Sequence, residues 1–133
     1  MEQNINTQVK IMLIDDNELD IFIAEKILEK AAFEGKIIVM ESSKAALNYL
    51  KENAGSNDKI PDVIFLDILM PEMDGYGFLN EFENLNEEVK NKINIIILTS
   101  TSNPKDKERA AKYAFVKNFI TKPLKISDVL NLN

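Results

Sequence analysis

Apolar residues in this chain gather into short unbroken runs separated by amphipathic stretches. Residues 9–14 (VKIMLI), 36–40 (KIIVM), 63–67 (VIFLD), 93–98 (INIIIL) and 115–121 (FVKNFIT) predict five strands. Most of these runs do not alternate, as expected of strands covered on both faces of a parallel sheet. Helical spacing fills the gaps. Ile21, Ala24, Ile27, Leu28 and Ala31 share one face of a helix over 18–32, with Asn17 or Asp16 as its cap and Gly35 closing it. Ser42 or Ser43 caps a short helix that runs to about residue 53, and 54–62 (AGSNDKIPD) is a polar loop. A loop over 70–75 (MPEMDG) leads into a helix over 76–85, with a continuation through NEEVKN. Asn103-Pro104 opens a helix over 105–114, Pro123 stops the fifth strand, and 126–130 forms a last short helix.

Strand and helix alternate five times, (βα)5, which predicts an α/β fold with a doubly wound, open parallel sheet. In such sheets chemistry collects beyond the carboxyl ends of the strands, near the point where the strand order reverses. Asp15 and Asp16 end the first strand, Asp67 the third, Thr99 and Ser100 the fourth, and Lys122 the fifth. In the flavodoxin-like order 2-1-3-4-5, strands one and three are neighbours, and their three carboxylates share one corner.

Composition narrows the chemistry. The chain has 133 residues with 45% apolar, enough for one domain, read as 1–133 with a core over about 9–130. No apolar run reaches the roughly 20 residues of a membrane span, and the start MEQNINTQVK has no secretory pattern. There is no Cys and no His. Disulfides, thiol catalysis, imidazole bases, histidine-ligated zinc and a phosphohistidine on this chain are therefore excluded, and a cytoplasmic location fits. A net charge of −6 argues against direct nucleic-acid binding, which needs clustered Lys and Arg.

Three clustered carboxylates repel one another, so one must take a proton or a cation must join them. Oxygen ligands without His suit Mg²⁺. A strand-end carboxylate is also a candidate nucleophile, forming an aspartyl-phosphate, for which a metal, a Lys and a hydroxyl are the parts required. Each piece alone has an ordinary reading. Asp15-Asp16 resembles a helix cap with a charged first turn, Asp67 a turn residue, LTSTSNP a polar loop, and Lys122 a surface lysine. Gly75-x-Gly77 is too short for a dinucleotide fingerprint, and the methionines at 12, 40, 70 and 73 read as core or loop filler. Specificity comes from acids, acid, hydroxyl and lysine falling in order at the ends of strands one, three, four and five.

The segments IMLIDDNELD, VIFLDILMPEMDGYGF, IIILTS and FITKPL together resemble the response-regulator receiver domain of two-component signalling, across about 9–130. The resemblance also implies the strand order 2-1-3-4-5. It implies Asp67 as the phosphoacceptor and Asp16 as a direct Mg²⁺ ligand, with Asp15 acting mainly through water. The Leu69 backbone carbonyl supplies a further metal oxygen, and Lys122, preceding a cis Pro123, contacts the phosphoryl group. For the switch hydroxyl, counting back from Lys122 without a gap gives Ser100, whereas placement straight after the apolar run gives Thr99; Ser100 is preferred. The switch aromatic matches Phe119, and Phe115-Val116 stands where the family usually has a small Gly-Ala pair.

The implied function is that of a phosphoacceptor, loaded by a histidine kinase or phosphotransfer protein. It is a signalling switch rather than a metabolic enzyme, limited to self-phosphorylation from a donor and autodephosphorylation. With no further residues after Asn133, its signal is expected to be read by a separate downstream protein target on the face of the fourth helix, fifth strand and final helix. Three alternatives stand beside it. One is a receiver cut from a hybrid kinase or transcription regulator. Another is a small aspartyl-phosphate hydrolase resembling the haloacid dehalogenase group, against which DDNELD departs from DxDx[TV]. The third is a phosphate-blind interaction module.

Overall fold

The computed structural model describes residues 9–70 and 74–132; part of the expected 70–75 loop, residues 71–73, and both chain ends lie outside them. Five parallel strands, β1 (Lys10–Ile14), β2 (Lys36–Met40), β3 (Val63–Leu66), β4 (Asn94–Thr99) and β5 (Val116–Thr121), form one sheet. Their order is β2-β1-β3-β4-β5, as expected for the doubly wound class. The helices among the described residues are α1 (Glu18–Lys30), α2 (Ser43–Glu52), α3 (Gly75–Phe82), α4 (Glu87–Lys92), α5 (Pro104–Ala111) and α6 (Ile126–Leu130).

Alternate strand residues feed two cores. Ile11, Leu13, Val63, Phe65, Ile96 and Leu98 face Ile21, Ala24 and Leu28 of α1 and Val129 of α6. Met12, Ile14, Ile64, Leu66, Ile95 and Ile97 face the other layer, with Leu47, Leu50, Phe78 and Phe82. The four residues of β3 are all buried, which is why that strand reads as continuously apolar.

Local signals explain most helix starts. The Asn17 side chain accepts from Asp20 N, that of Ser42 from Ala45 N, and that of Asn103 from Lys105 N, with Pro104 opening α5. Two expectations are corrected. The helix after β3 does not continue through NEEVKN: it ends at Phe82, and Asn86, accepting from Glu88 N, caps a separate α4. Nor does Gly35 close α1. Ala32 takes the left-handed conformation (φ 60°), with Phe33 N donating to Leu28 O and Ala32 N to Glu29 O, the paired bonds of a Schellman ending. Phe33 packs into the core beside Leu28, and this anchoring offsets the steric cost of an alanine in that conformation.

Candidate functional site

The carboxyl ends of β1, β3, β4 and β5 bring Asp15, Asp16, Asp67, Thr99 and Lys122 together. Asp67 follows β3 and is 6% exposed. Its N–H donates to Ile14 O at 3.0 Å, which ties the strand end to β1. Its Oδ1 accepts from Thr99 Oγ1 at 2.8 Å and from Leu69 N at 2.9 Å. Its Oδ2 accepts from Lys122 Nζ at 3.1 Å. Carboxylate oxygens of Asp15, Asp16 and Asp67 lie within 4.8 Å of one another, with Asp16 exposed and the other two buried.

Lys122 is the cation at the centre. Its Nζ lies 2.8 Å from Asp15 Oδ2, 2.8 Å from Asp20 Oδ2 and 3.1 Å from Asp67 Oδ2. Burial works against its charge, but the hydrogen bonds to Asp15 and Asp20 and the nearby Asp67 outweigh this and hold it well above the usual lysine range. Asp15 is raised too, but at the expense of its charge: burial pushes its carboxyl up despite the bonds from Lys122 and from Asn17 N at 2.9 Å. The two shifts fit one picture, because a single ammonium is shared among three carboxylates. One positive charge faces three negative ones. Asp15, Asp16 and Asp67 lie in metal-ligand range, and Lys122, which pairs with two of them and with Asp20, leaves negative charge there that a divalent cation could balance.

Of the two hydroxyl candidates, Thr99 rather than Ser100 meets Asp67. Thr99 is fully buried, whereas Ser100 is exposed at the start of the next loop. Counting back from Lys122 misses this because of an irregularity in β5. Ile95 pairs with Val116 but Ile96 pairs with Asn118, so Lys117 is an extra residue opposite β4. An ungapped count back from Lys122 then falls one residue late. Thr99 pairs with Thr121, and Lys122 N donates to Thr99 O at 2.8 Å. The turn before this bulge is filled by Phe115, whose ring lies 4.7 Å from that of Phe82.

The other expected residues lie as follows. Leu69 points its N–H at Asp67, and its side chain is half exposed. Phe119 is half buried on β5, packed against the core that holds Ile97. The Lys122–Pro123 bond is cis. Asp20 is a site residue that the sequence reading missed; its signal was an acid one helical turn beyond Asp16 in DDNELD. Gly75 is tightly placed. A Cβ there would lie 2.5 Å from Ile68 Cα and 2.8 Å from the Asp67 carbonyl oxygen, so only glycine lets α3 start this close to the residue after Asp67. A cavity of about 340 Å³ between Glu83, Lys90, Ile93 and Phe115 lies at the opposite ends of the strands.

This parallel sheet of order 2-1-3-4-5, with acids, hydroxyl and lysine at its carboxyl edge, defines a class. The chain matches the family model of the response regulator receiver domain over residues 11–132 and belongs to that family. Among known relatives, it is 29% identical over 119 residues to the probable methanogenesis regulatory protein FilR2 of Methanothrix harundinacea, covering 90% of this chain and 75% of that protein. It is 29% identical over 125 residues to the two-component response regulator ORR1 of Oryza sativa, covering 92% of this chain and 53% of that protein, and so spans about half its length. Among solved structures, it resembles a two-component response regulator from Cytophaga hutchinsonii with TM-score 0.87 and 28% identity, over 95% of this chain and 94% of that one. Among the described residues no helix is long and apolar enough to cross a membrane.

Proposed function

We propose that Asp67 is the phosphoacceptor of a single receiver domain filling this chain, loaded in the cytoplasm by a histidine kinase or phosphotransfer protein. One carboxylate oxygen of Asp67 attacks the phosphorus of a phosphohistidine. The P–N bond breaks, and the donor's imidazole keeps the electron pair. Mg²⁺, when bound, would neutralise charge on the transferring oxygens. Asp16 and Asp67 would hold it directly, with the Leu69 carbonyl as a further oxygen and Asp15 mainly through water. Lys122 and Thr99 are the donors for the phosphoryl oxygens, with Thr99 replacing Ser100 in that role.

The observation that carries this reading is the setting of Asp67. It is a buried strand-end carboxylate met by a hydroxyl, an N–H and an ammonium, with two further acids in metal-ligand range. The test is incubation with acetyl phosphate and Mg²⁺, borohydride trapping and peptide mapping. Label at Asp67, lost in Asp67→Asn, is expected; label at Asp15 or Asp16 would overturn the assignment.

The output surface in this reading is the face of α5, β5 and α6, read by a downstream protein. A groove of about 200 Å³ between α5 and β5, lined by Ala110, Ala111, Val116 and Phe119 among others, supports it. The groove gives the Phe119 ring room to change position when Thr99 moves toward a phosphoryl oxygen. Phosphate favours one of the two arrangements, which is all a population switch requires.

A further inference from the structure

Tyr76 lies outside the acidic corner, yet it is tied to it from two sides. Its ring is 5% exposed. Its hydroxyl lies 2.8 Å from Asp106 Oδ1 and 3.2 Å from the Asp106 carbonyl oxygen. The other oxygen of that carboxylate, Oδ2, accepts from Thr101 Oγ1 at 3.1 Å, and Thr101 Oγ1 accepts from Asn103 N at 3.2 Å. The Arg109 guanidinium lies 3.6 Å over the Tyr76 ring. Burial and the Asp106 bond raise the tyrosine's pKa above its ordinary range, so it stays a donor.

These contacts close a circuit around the site. Asp67 is followed by Ile68, against which Gly75 is packed, with Gly75 N donating to Ile68 O at 3.4 Å. Tyr76 follows Gly75 and reaches Asp106 on α5. Asp106 holds Thr101, two residues from Thr99, and Thr99 returns to Asp67. The loop over 100–103 thus has one anchor on Asp67, through Thr99, and another on α3, through the Asp106 carboxylate.

We propose that the Tyr76–Asp106–Thr101 bridge is a positioning device that fixes the 100–103 loop so that the Thr99 hydroxyl stays aimed at the phosphoryl site. Tyr76 and Asp106 are positioning residues; they touch neither the phosphoryl group nor the metal. The proposal rests on the reading of Asp67 as phosphoacceptor. It predicts a selective effect. The bridge lies on the β4 side of Asp67, whereas Asp15 and Asp16 come from the β1 side, so loosening the loop weakens phosphoryl recognition and spares the metal.

The test uses beryllofluoride with Mg²⁺ as the phosphoryl probe and Mg²⁺ alone as control, both by calorimetric titration on the full chain. Tyr76→Phe and Thr101→Val each weaken beryllofluoride binding roughly fivefold, the worth of about one net hydrogen bond, and leave Mg²⁺ affinity unchanged. Thr101→Ser keeps the hydroxyl and binds like wild type. The double variant is no weaker than either single one, because both cut the same bridge. Thr101 sits half buried in a loop, so its variants leave the core intact. Single variants that bind beryllofluoride like wild type, or that lose Mg²⁺ and beryllofluoride alike, overturn this proposal alone. A wild-type protein that binds Mg²⁺ but no beryllofluoride removes the reading of Asp67 and this proposal with it.

Discussion

Replacing Thr99 by valine removes one hydroxyl and keeps the shape of the side chain. In the folded protein that hydroxyl is fully buried and donates to an acidic oxygen at 2.8 Å. Its loss leaves Asp67 Oδ1 with the Leu69 N–H. A hydrogen bond to a charged group contributes about 1.5–3 kcal/mol. For 133 residues, an unfolding entropy of about 2.1 cal/mol/K per residue converts this to a fall in Tm of about 5–11 °C. Ser100→Ala, at an exposed position, should shift stability by less than about 0.5 kcal/mol, or under about 2 °C. Thermal unfolding followed by circular dichroism measures both, and acetyl phosphate labelling of the same variants reads the functional side. Thr99→Val should lower labelling as well as Tm, because in the proposed function the phosphoryl group loses one donor. If Ser100→Ala gives the larger loss in both assays while Thr99→Val stays near wild type, the assignment of the hydroxyl is wrong.

Three further outcomes are expected. Gly75→Ala forces a Cβ into the Ile68 backbone and should cost about 1–3 kcal/mol in urea unfolding; an unchanged midpoint would mean that α3 shifts freely. In the proposed ligand set Asp16 is a direct ligand and Asp15 an outer partner, typically worth about 10–100-fold, so Asp16→Asn should weaken Mg²⁺ binding more than Asp15→Asn; equal affinities for Asp16→Asn and wild type in a calorimetric titration would contradict that set. Burial raises Asp62, but Lys10 N at 2.8 Å and the Lys92 ammonium at 3.0 Å outweigh it, and its carboxyl titrates below the usual value of 3.8. Its stabilisation is therefore full above the unfolded-state value and is lost as pH falls through the lower folded one. Asp62→Asn should flatten the acid decline of the urea midpoint below about pH 4, and a decline as steep as that of wild type would refute this.

The fold was legible in the sequence because its signals are local. Non-alternating runs such as VIFL require burial on both faces, and Asn17, Ser42 and Asn103-Pro104 mark helix starts through bonds to backbone only two or three residues away. The strand-end rule then turned positions into a site: Asp15, Asp16, Asp67 and Lys122 meet because each ends a strand of one parallel sheet.

The rest depended on how elements lie against one another, which no local pattern encodes. The separation of α3 from α4 turned on Asn86 acting as a cap within a stretch that also reads as helix. The ending of α1 turned on Phe33 being anchored in the core, which lets Ala32 rather than Gly35 take the left-handed position. Asp20 joins the site only because Lys122 arrives from the far end of the chain. Tyr76 meets Asp106 only across the packing of α3 on α5. Thr99 and Ser100 are equal in sequence as hydroxyls after an apolar run. Thr99 closes β4 with its side chain buried and Ser100 opens the exposed loop, because successive side chains leave a strand on opposite sides, while the extra residue Lys117 in β5 is what an ungapped count from Lys122 does not see.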